Sequence, residues 1–477
     1  MAGGNKSLFS KVLDTLTHKL PESTKGASHY EVLVIGNGLG ATFTKRFSHK
    51  THGHAELCCV NKGGNANMNV NRFLYEQSRL KKTDYSVSSK LAICMSAAQS
   101  DGFGLEKYLP DENAVVLTNG RRIEYDHLVV ATGMRNDYKT IPGFYEAWEN
   151  LDTPVYSSVD HPNWKVFDIK YHKHLGNPSH GDHYFYIPPG DFRGEVSAYN
   201  FLASASQWNW YKTIGKLPST ARYYVVLGNE NGFSQYDQAT SDFFTAECAK
   251  RGVEIITGQS ITGVDGANRT LTFTDQQSGA VNVKDFGSLY AIPNASPAQA
   301  LTDAGLASSE TGGFLDVDQH TLRHNRYPNV FGLGDVNNLP TTKSWWGGVY
   351  QLHVAANNVY RNLKGLPLNA KYDGHSKCPI YLDSNKLTYA VHNYAGPVGG
   401  SLNMAGGFPA IARYFFWQKA LSSKNVPAIF TSKSNGPPKY KLGEPKWAEL
   451  SAEDANKPNS MGYKVIRKDG AEPAHSH

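Results

Sequence analysis

Several things are missing from this 477-residue sequence, and each absence narrows its class. No uninterrupted apolar run approaches the ~20 residues that a spanning helix needs, so a helical membrane protein is not expected. Cysteine is scarce. Cys58, Cys59, Cys94, Cys248 and Cys378 form an odd set without CxxC or Cys/His ligand spacing, which argues against a disulfide scaffold or a zinc site and for a reducing compartment. Charge of one sign is missing too. Lys and Arg total 48 against 42 for Asp and Glu, a net +6, and the basic residues are dispersed without a nucleic-acid footprint. Five histidines at 161, 172, 174, 180 and 183 lack ligand spacing, so a polar surface loop is expected there and no metal.

What is present is an ordinary soluble balance, 40% hydrophobic and 19% charged, in a chain long enough for two or three buried cores. Residues 6–20 place Leu8, Phe9, Val12, Leu13, Leu16 and Leu20 on one helical face, with lysines on or beside the other. Hydroxylated residues are frequent there, Asp14 is the lone acid and arginine is absent. Two readings stand, an uncleaved amphipathic docking helix and an import signal. Ala2 stands where myristoylation would need glycine.

The first chemical signal is a β-branched run at 30–35 (YEVLVI) leading into Gly36-Asn37-Gly38-Leu39-Gly40-Ala41 and a helix-like segment. This is a G-x-G-x-x-A turn in strand–turn–helix context. Gly36 permits the tight turn, Gly38 lets the backbone approach a pyrophosphate, and Ala41 lets helix and strand pack closely. The helix N-terminus then offers free N–H groups and a positive dipole end to the phosphates. A strand is expected at 55–60, with Cys58 and Cys59 as core residues. At its end, where such folds carry an acid for the ribose hydroxyls, stands Asn61. Two more strand ends complete the pattern: Ala131-Thr132-Gly133 after an apolar run, and Gly334-Asp335 after residues 329–333.

Between them, residues 222–227 (RYYVVL), a helix over 242–251 and a strand from 252 read as a second βαβ unit. Its glycines do not form G-x-G-x-x-G, so NAD(P)H is not expected as a partner.

Further motifs stand at 314–318 (FLDVD), 324–335 (HNRYPNVFGLGD), 338–343 (NLPTTK) and 372–379 (YDGHSKCP), with Asp137-Tyr138 after ATG and Pro293/Pro297. Through these the sequence resembles the mitochondrial-type sulfide:quinone oxidoreductases from about residue 30 to 430. The resemblance implies an α/β fold with two Rossmann-like dinucleotide-binding domains and FAD as cofactor. It implies cofactor-binding residues at Gly36, Gly38, Gly40, Ala41, Asn61, Ala131, Thr132, Gly133, Gly334, Asp335 and Lys343, with Asp335 on the flavin ribityl chain. The family reaction needs two cysteines flanking the flavin, so that sulfide attacks one sulfur and the other reduces the flavin, which passes electrons to quinone. Cys378 matches the second of these. The segment matching the first, residues 184–196, has no cysteine, so the catalytic set reduces to Cys378, read as a packed relic ahead of a reactive thiol. Trp345-Trp346 replace small residues of the family beside the flavin.

The expected organisation is an N-terminal extension (1–26), an FAD-binding part (27–150), a second Rossmann-like unit (151–285), a return part (286–366), a C-terminal interface or membrane-associating region (367–430) and a polar tail (431–477). Residues 408–421 (FPAIARYFFWQKAL) read as a peripheral membrane contact or as a cover for a core or protein partner. The expected function is a catalytically degenerate, FAD-binding relative serving as an accessory subunit of a mitochondrial inner-membrane complex. The alternative is an active flavin-dependent quinone oxidoreductase with a sulfur or other donor.

Overall fold

A computed structural model describes residues 29–36, 38–51, 57–60, 65–67, 86–88, 99–101, 104–157, 181–189, 194–230, 238–292, 294–382, 387–397 and 463–465. The expectations for residues 6–20, 408–421, Asn61, Pro293 and four of the five clustered histidines lie outside these residues.

The first unit is a seven-stranded sheet. Strand β1 (His29–Ile35) runs into helix α1 (Leu39–Lys50), then β2 (Leu57–Val60) and, after a crossover, the long β3 (Arg122–Val130). Strand β1 pairs in parallel with both, Leu33 opposite Cys58 and Leu128. The first half of β3 pairs antiparallel with Ala114–Leu117. Val32 to Ile35 are buried on both faces, as a central parallel strand requires. Helix α1 sets Phe43 and Phe47 one turn apart against the sheet, their rings stacked 5.4 Å apart.

The second unit is a five-stranded parallel sheet built around β4 (His183–Ile187), β5 (Tyr223–Leu227), β6 (Val253–Thr257) and β7 (Ser288–Ala291), with Val155–Ser157 at its edge. Alternation with period two sorts its side chains. Phe185, Ile187, Val225 and Leu227 pack under helices α2 (Gly194–Thr213) and α3 (Gln238–Arg251). Tyr184, Tyr186, Tyr224 and Val226 face a three-stranded antiparallel sheet (Gln259–Asp265, Thr270–Asp275, Val281–Asp285) through Leu271 and Phe273. Because β7 pairs with β4 and with Val155–Ser157, the second unit runs to Ala291, beyond the boundary at 285 read from sequence. The short, uniformly apolar SLYA does not show which sheet it joins.

The chain then returns to the first sheet. Strand β8 (Val330–Gly332) pairs in parallel with the end of β3 and leads to helix α4 (Trp345–Leu363). Val349, Leu352, Ala356 and Val359 give α4 its buried stripe. Strand β9 (Ser376–Tyr381) pairs with Leu387–Asn393, and Ile380 and Leu382 enter the core of the second unit. Within the polar tail, Tyr463–Val465 adds a strand to Ala370–Tyr372.

Four buried histidines make this fold acid-sensitive. Burial pushes His183 down to about 3, and it lowers His127, His324 and His353 below the ordinary imidazole range. A folded-state value below the unfolded one means that the unfolded chain binds the extra proton. Stability is therefore complete above about pH 6.5 and falls as pH drops toward 3. His183 alone contributes a loss of about 2 kcal/mol between pH 6.5 and 5. Guanidinium melts at pH 7.5 and 5.0 should show a His183→Gln variant losing about that much less than the parent, and equal losses would contradict this assignment.

Candidate flavin site

Three glycine-bearing turns meet at the C-terminal ends of the first sheet, the crevice where open α/β sheets bind ligands. At the first, Gly36 has φ +145°, and a Cβ there would strike the Ala131 carbonyl oxygen. Gly36 N–H donates to the Val60 carbonyl at 3.1 Å, and Ala131 N–H to the Ile35 carbonyl at 2.8 Å. The turn is thus closed against β3. Gly38 is different: a Cβ there would meet nothing within 4 Å, leaving the backbone open toward the crevice. The closest helix–sheet approach belongs to Gly40, whose Cβ would lie 3.2 Å from Val34 and 3.3 Å from Ala131. The side chain of Ala41 is outside the described residues. Helix α1 has no acid in its first turn, so its N-terminal field stays positive.

The second turn follows β8. Gly334 has φ +84°, and its N–H donates to Gln351 Oε1 at 2.8 Å. The same oxygen accepts from Asn337 Nδ2 at 3.1 Å. Asp335 is half-buried at this turn. Lys343 is buried and donates to the Asp335 and Asn337 carbonyls at 3.1 and 2.6 Å, with its ammonium 3.9 Å from the centre of the Phe314 ring. Burial pulls its pKa down to about 8, against the opposing effect of Asp335. Lys343, which the resemblance implies as a cofactor-binding residue, binds the backbone of the loop that presents Asp335.

The third turn starts α4. Ser344 caps it, accepting from Gly347 N–H at 3.0 Å, and its hydroxyl meets Ser376 Oγ at 2.7 Å. Gly347 and Gly348 carry no side chain in the first turn, and Leu39 reaches into the space beside Gly348. A Cβ on Gly348 would clash with Leu39 Cδ1, and one on Gly334 would lie 3.0 Å from it. One leucine therefore keys all three turns together. Leu39 and Gln351 escaped sequence reading because their partners lie hundreds of residues away or across a loop. The only signal was their place beside glycines.

The profile of the pyridine nucleotide-disulphide oxidoreductase family matches residues 210–358. The mitochondrial sulfide:quinone oxidoreductase of Mus musculus is 27% identical over 374 residues, covering 77% of this chain and 79% of its own. The sulfide:quinone oxidoreductase of Aquifex aeolicus has the same fold, with a TM-score of 0.68 and 16% identity over 85% of this chain and 94% of that one. The chain belongs to the sulfide:quinone oxidoreductase family. A further similarity is to a chain in the cryo-EM structure of the Tetrahymena thermophila mitochondrial ATP synthase F1Fo tetramer. It is 36% identical with a TM-score of 0.79, covering 88% of this chain and all of that one.

FAD is the cofactor of sulfide:quinone oxidoreductases, and the residues of this member fit it where they are described. The Gly38 opening at a positive helix end suits a pyrophosphate, and the Asp335 turn suits a polyol chain. Thr132 and Gly133 close the crevice at the end of β3, and Gly133 takes φ +65°.

The cysteines whose side chains are described are not placed as redox sulfurs. Cys58, Cys59 and Cys248 are buried core residues, and burial pushes the Cys59 and Cys248 thiols up to about 12. At neutral pH neither is the thiolate that nucleophilic attack requires. The segment corresponding to the first family cysteine leaves β4 through a buried Pro188 and an exposed Pro189, and a Cβ on Gly228 would strike Pro189. Cys378 lies on β9 opposite Ala390, and its side chain is outside the described residues. Among the described residues no helix is long and apolar enough to cross a membrane.

Proposed function

We propose that this chain is a sulfide:quinone oxidoreductase relative kept as a structural, FAD-holding subunit of a mitochondrial ATP synthase assembly at the inner membrane. The similarity to the Tetrahymena ATP synthase chain carries this reading. It is 36% over the whole of that chain, against 27% for the mouse enzyme. The cysteine-free segment 184–196 supports it from the other side, since one candidate thiol, Cys378, cannot make the cross-flavin pair. A peripheral position on the membrane fits the same reading, since no helix among the described residues is long and apolar enough to span it.

FAD bound in the crevice would supply reversible two-electron redox chemistry. In this chain Gly36 and Gly38 position the backbone for its pyrophosphate, α1 directs a positive dipole end at the phosphates, and Asp335 offers a carboxylate to its ribityl hydroxyls. Lys343 and Gln351 hold the Asp335 turn in place, and Leu39 fixes α1 to α4. No described thiol stands ready to accept or release sulfur, and on this reading bound FAD has a structural part at the end of the first sheet.

Sulfide-dependent reduction of a soluble quinone analogue, assayed on FAD-loaded protein, should stay at the no-enzyme rate and be indifferent to Cys378→Ser. Turnover abolished by Cys378→Ser would favour the second reading, an active flavin-dependent quinone reductase. That reading rests on the retained flavin turns and Cys378.

A further inference from the structure

The C-terminal end of α2 presents an apolar pair to solvent. Trp210 is 55% and Ile214 44% exposed, and they lie one helical turn apart. The tip that carries them is fixed. Ile214 N–H bonds the Trp210 carbonyl at 3.1 Å, Gly215 turns the chain at φ +71°, and Lys216 and Leu217 N–H groups both bond the Tyr211 carbonyl. Leu217 then re-enters the core. The exposure is therefore a property of a capped helix end and not of a frayed one.

Along residues 201–222 the charge has one sign. The half-buried Lys212 and the exposed Lys216 lie within two residues of Ile214, and residues 201–222 contain no Asp or Glu. Helix α3 ends alongside, since Asn209 Nδ2 donates to the Arg251 carbonyl at 2.7 Å. The acids of the neighbouring elements are engaged. Glu247 is bound by Lys250 and Arg251, Glu254 pairs with Arg222, and Asp182 accepts from the Arg222 N–H.

We propose that the Trp210–Ile214 tip docks on an anionic phospholipid surface. A tryptophan and an isoleucine on a segment whose charges are basic suit the headgroup boundary, where the indole sits at the interface and lysines such as the exposed Lys216 gain from the negative surface potential. Cores of protein interfaces favour tryptophan but are depleted in lysine, so a protein partner fits this basic segment less well. This contact is separate from residues 408–421 and does not depend on the assembly reading.

The test is co-sedimentation of the FAD-loaded full chain with vesicles of phosphatidylcholine, with and without phosphatidylglycerol. Binding should require phosphatidylglycerol and weaken with salt. Lys212→Glu/Lys216→Glu and Trp210→Ser/Ile214→Ser should each reduce it by on the order of tenfold, with the thermal midpoint as a control for folding. No binding by the parent protein, equal binding to both vesicles, or binding unchanged in both folded variants would overturn the proposal. So would variants that keep vesicle binding but lose a co-purifying protein, which would make the tip a protein interface.

Discussion

Gly36→Ala should cost about 3–5 kcal/mol and leave the protein without flavin, whereas Gly38→Ala should keep the fold and lose only the flavin. The two glycines stand two residues apart in one motif, and the physical reasons differ. At Gly36 the backbone is at φ +145°, and a methyl group would enter the carbonyl of Ala131, which directly follows β3 and is held by its own N–H bond to the Ile35 carbonyl. At Gly38 the protein offers no obstacle to a Cβ, so the only thing a methyl group displaces is what lies in the crevice. Denaturant unfolding of apoprotein and flavin absorbance per polypeptide separate the two effects. A Gly38→Ala protein that retains stoichiometric FAD would remove the pyrophosphate from this turn.

The second large effect is expected at Arg251, a residue that no motif marked. Its guanidinium donates to Ser206 Oγ at 2.8 Å, to the Leu382 carbonyl at 2.9 Å and to Glu247 Oε2 at 2.6 Å. Ser206 Oγ also donates to the Leu382 carbonyl, at 2.7 Å. Helices α2 and α3 thereby grip the end of β9, the strand of Cys378. Burial tends to raise the Glu247 carboxyl, but hydrogen bonds from Lys250 and Arg251 outweigh it and hold the pKa below the ordinary range. Arg251→Ala leaves that carboxylate with Lys250 alone and should cost about 2–4 kcal/mol. Arg251→Lys keeps the charge but loses the planar fork and should recover part of this. Hydrogen exchange should speed up across residues 376–382 in the alanine variant, and unchanged protection there would contradict the clamp.

Much of the first sheet was legible because its signals are local. A β-branched strand, a glycine turn and a helix follow one another within residues 30–50, and the ATG and Gly-Asp strand ends mark where the chain leaves and returns. The interior of the site was less legible. That Gly40 makes the close helix–sheet contact, that Lys343 ties down its own loop, and that Leu39 fills the gap at Gly348 depend on turns brought together from residues 39, 334 and 348. Spacing along the chain does not encode such meetings. The assignment of β7 to the second sheet is of the same kind, since pairing partners, not composition, decide it. The missing cysteine was visible at once, because an absence from a motif needs no tertiary contact.

The central claim, a flavoprotein fold retained for assembly and not for sulfide chemistry, is tested most directly by native electrophoresis of gently solubilised mitochondrial membranes. The chain should migrate with ATP hydrolysis activity at the mass of the ATP synthase, in constant ratio to its subunits. Migration as a free monomer or small oligomer in a fraction with sulfide-dependent quinone reduction would contradict the claim.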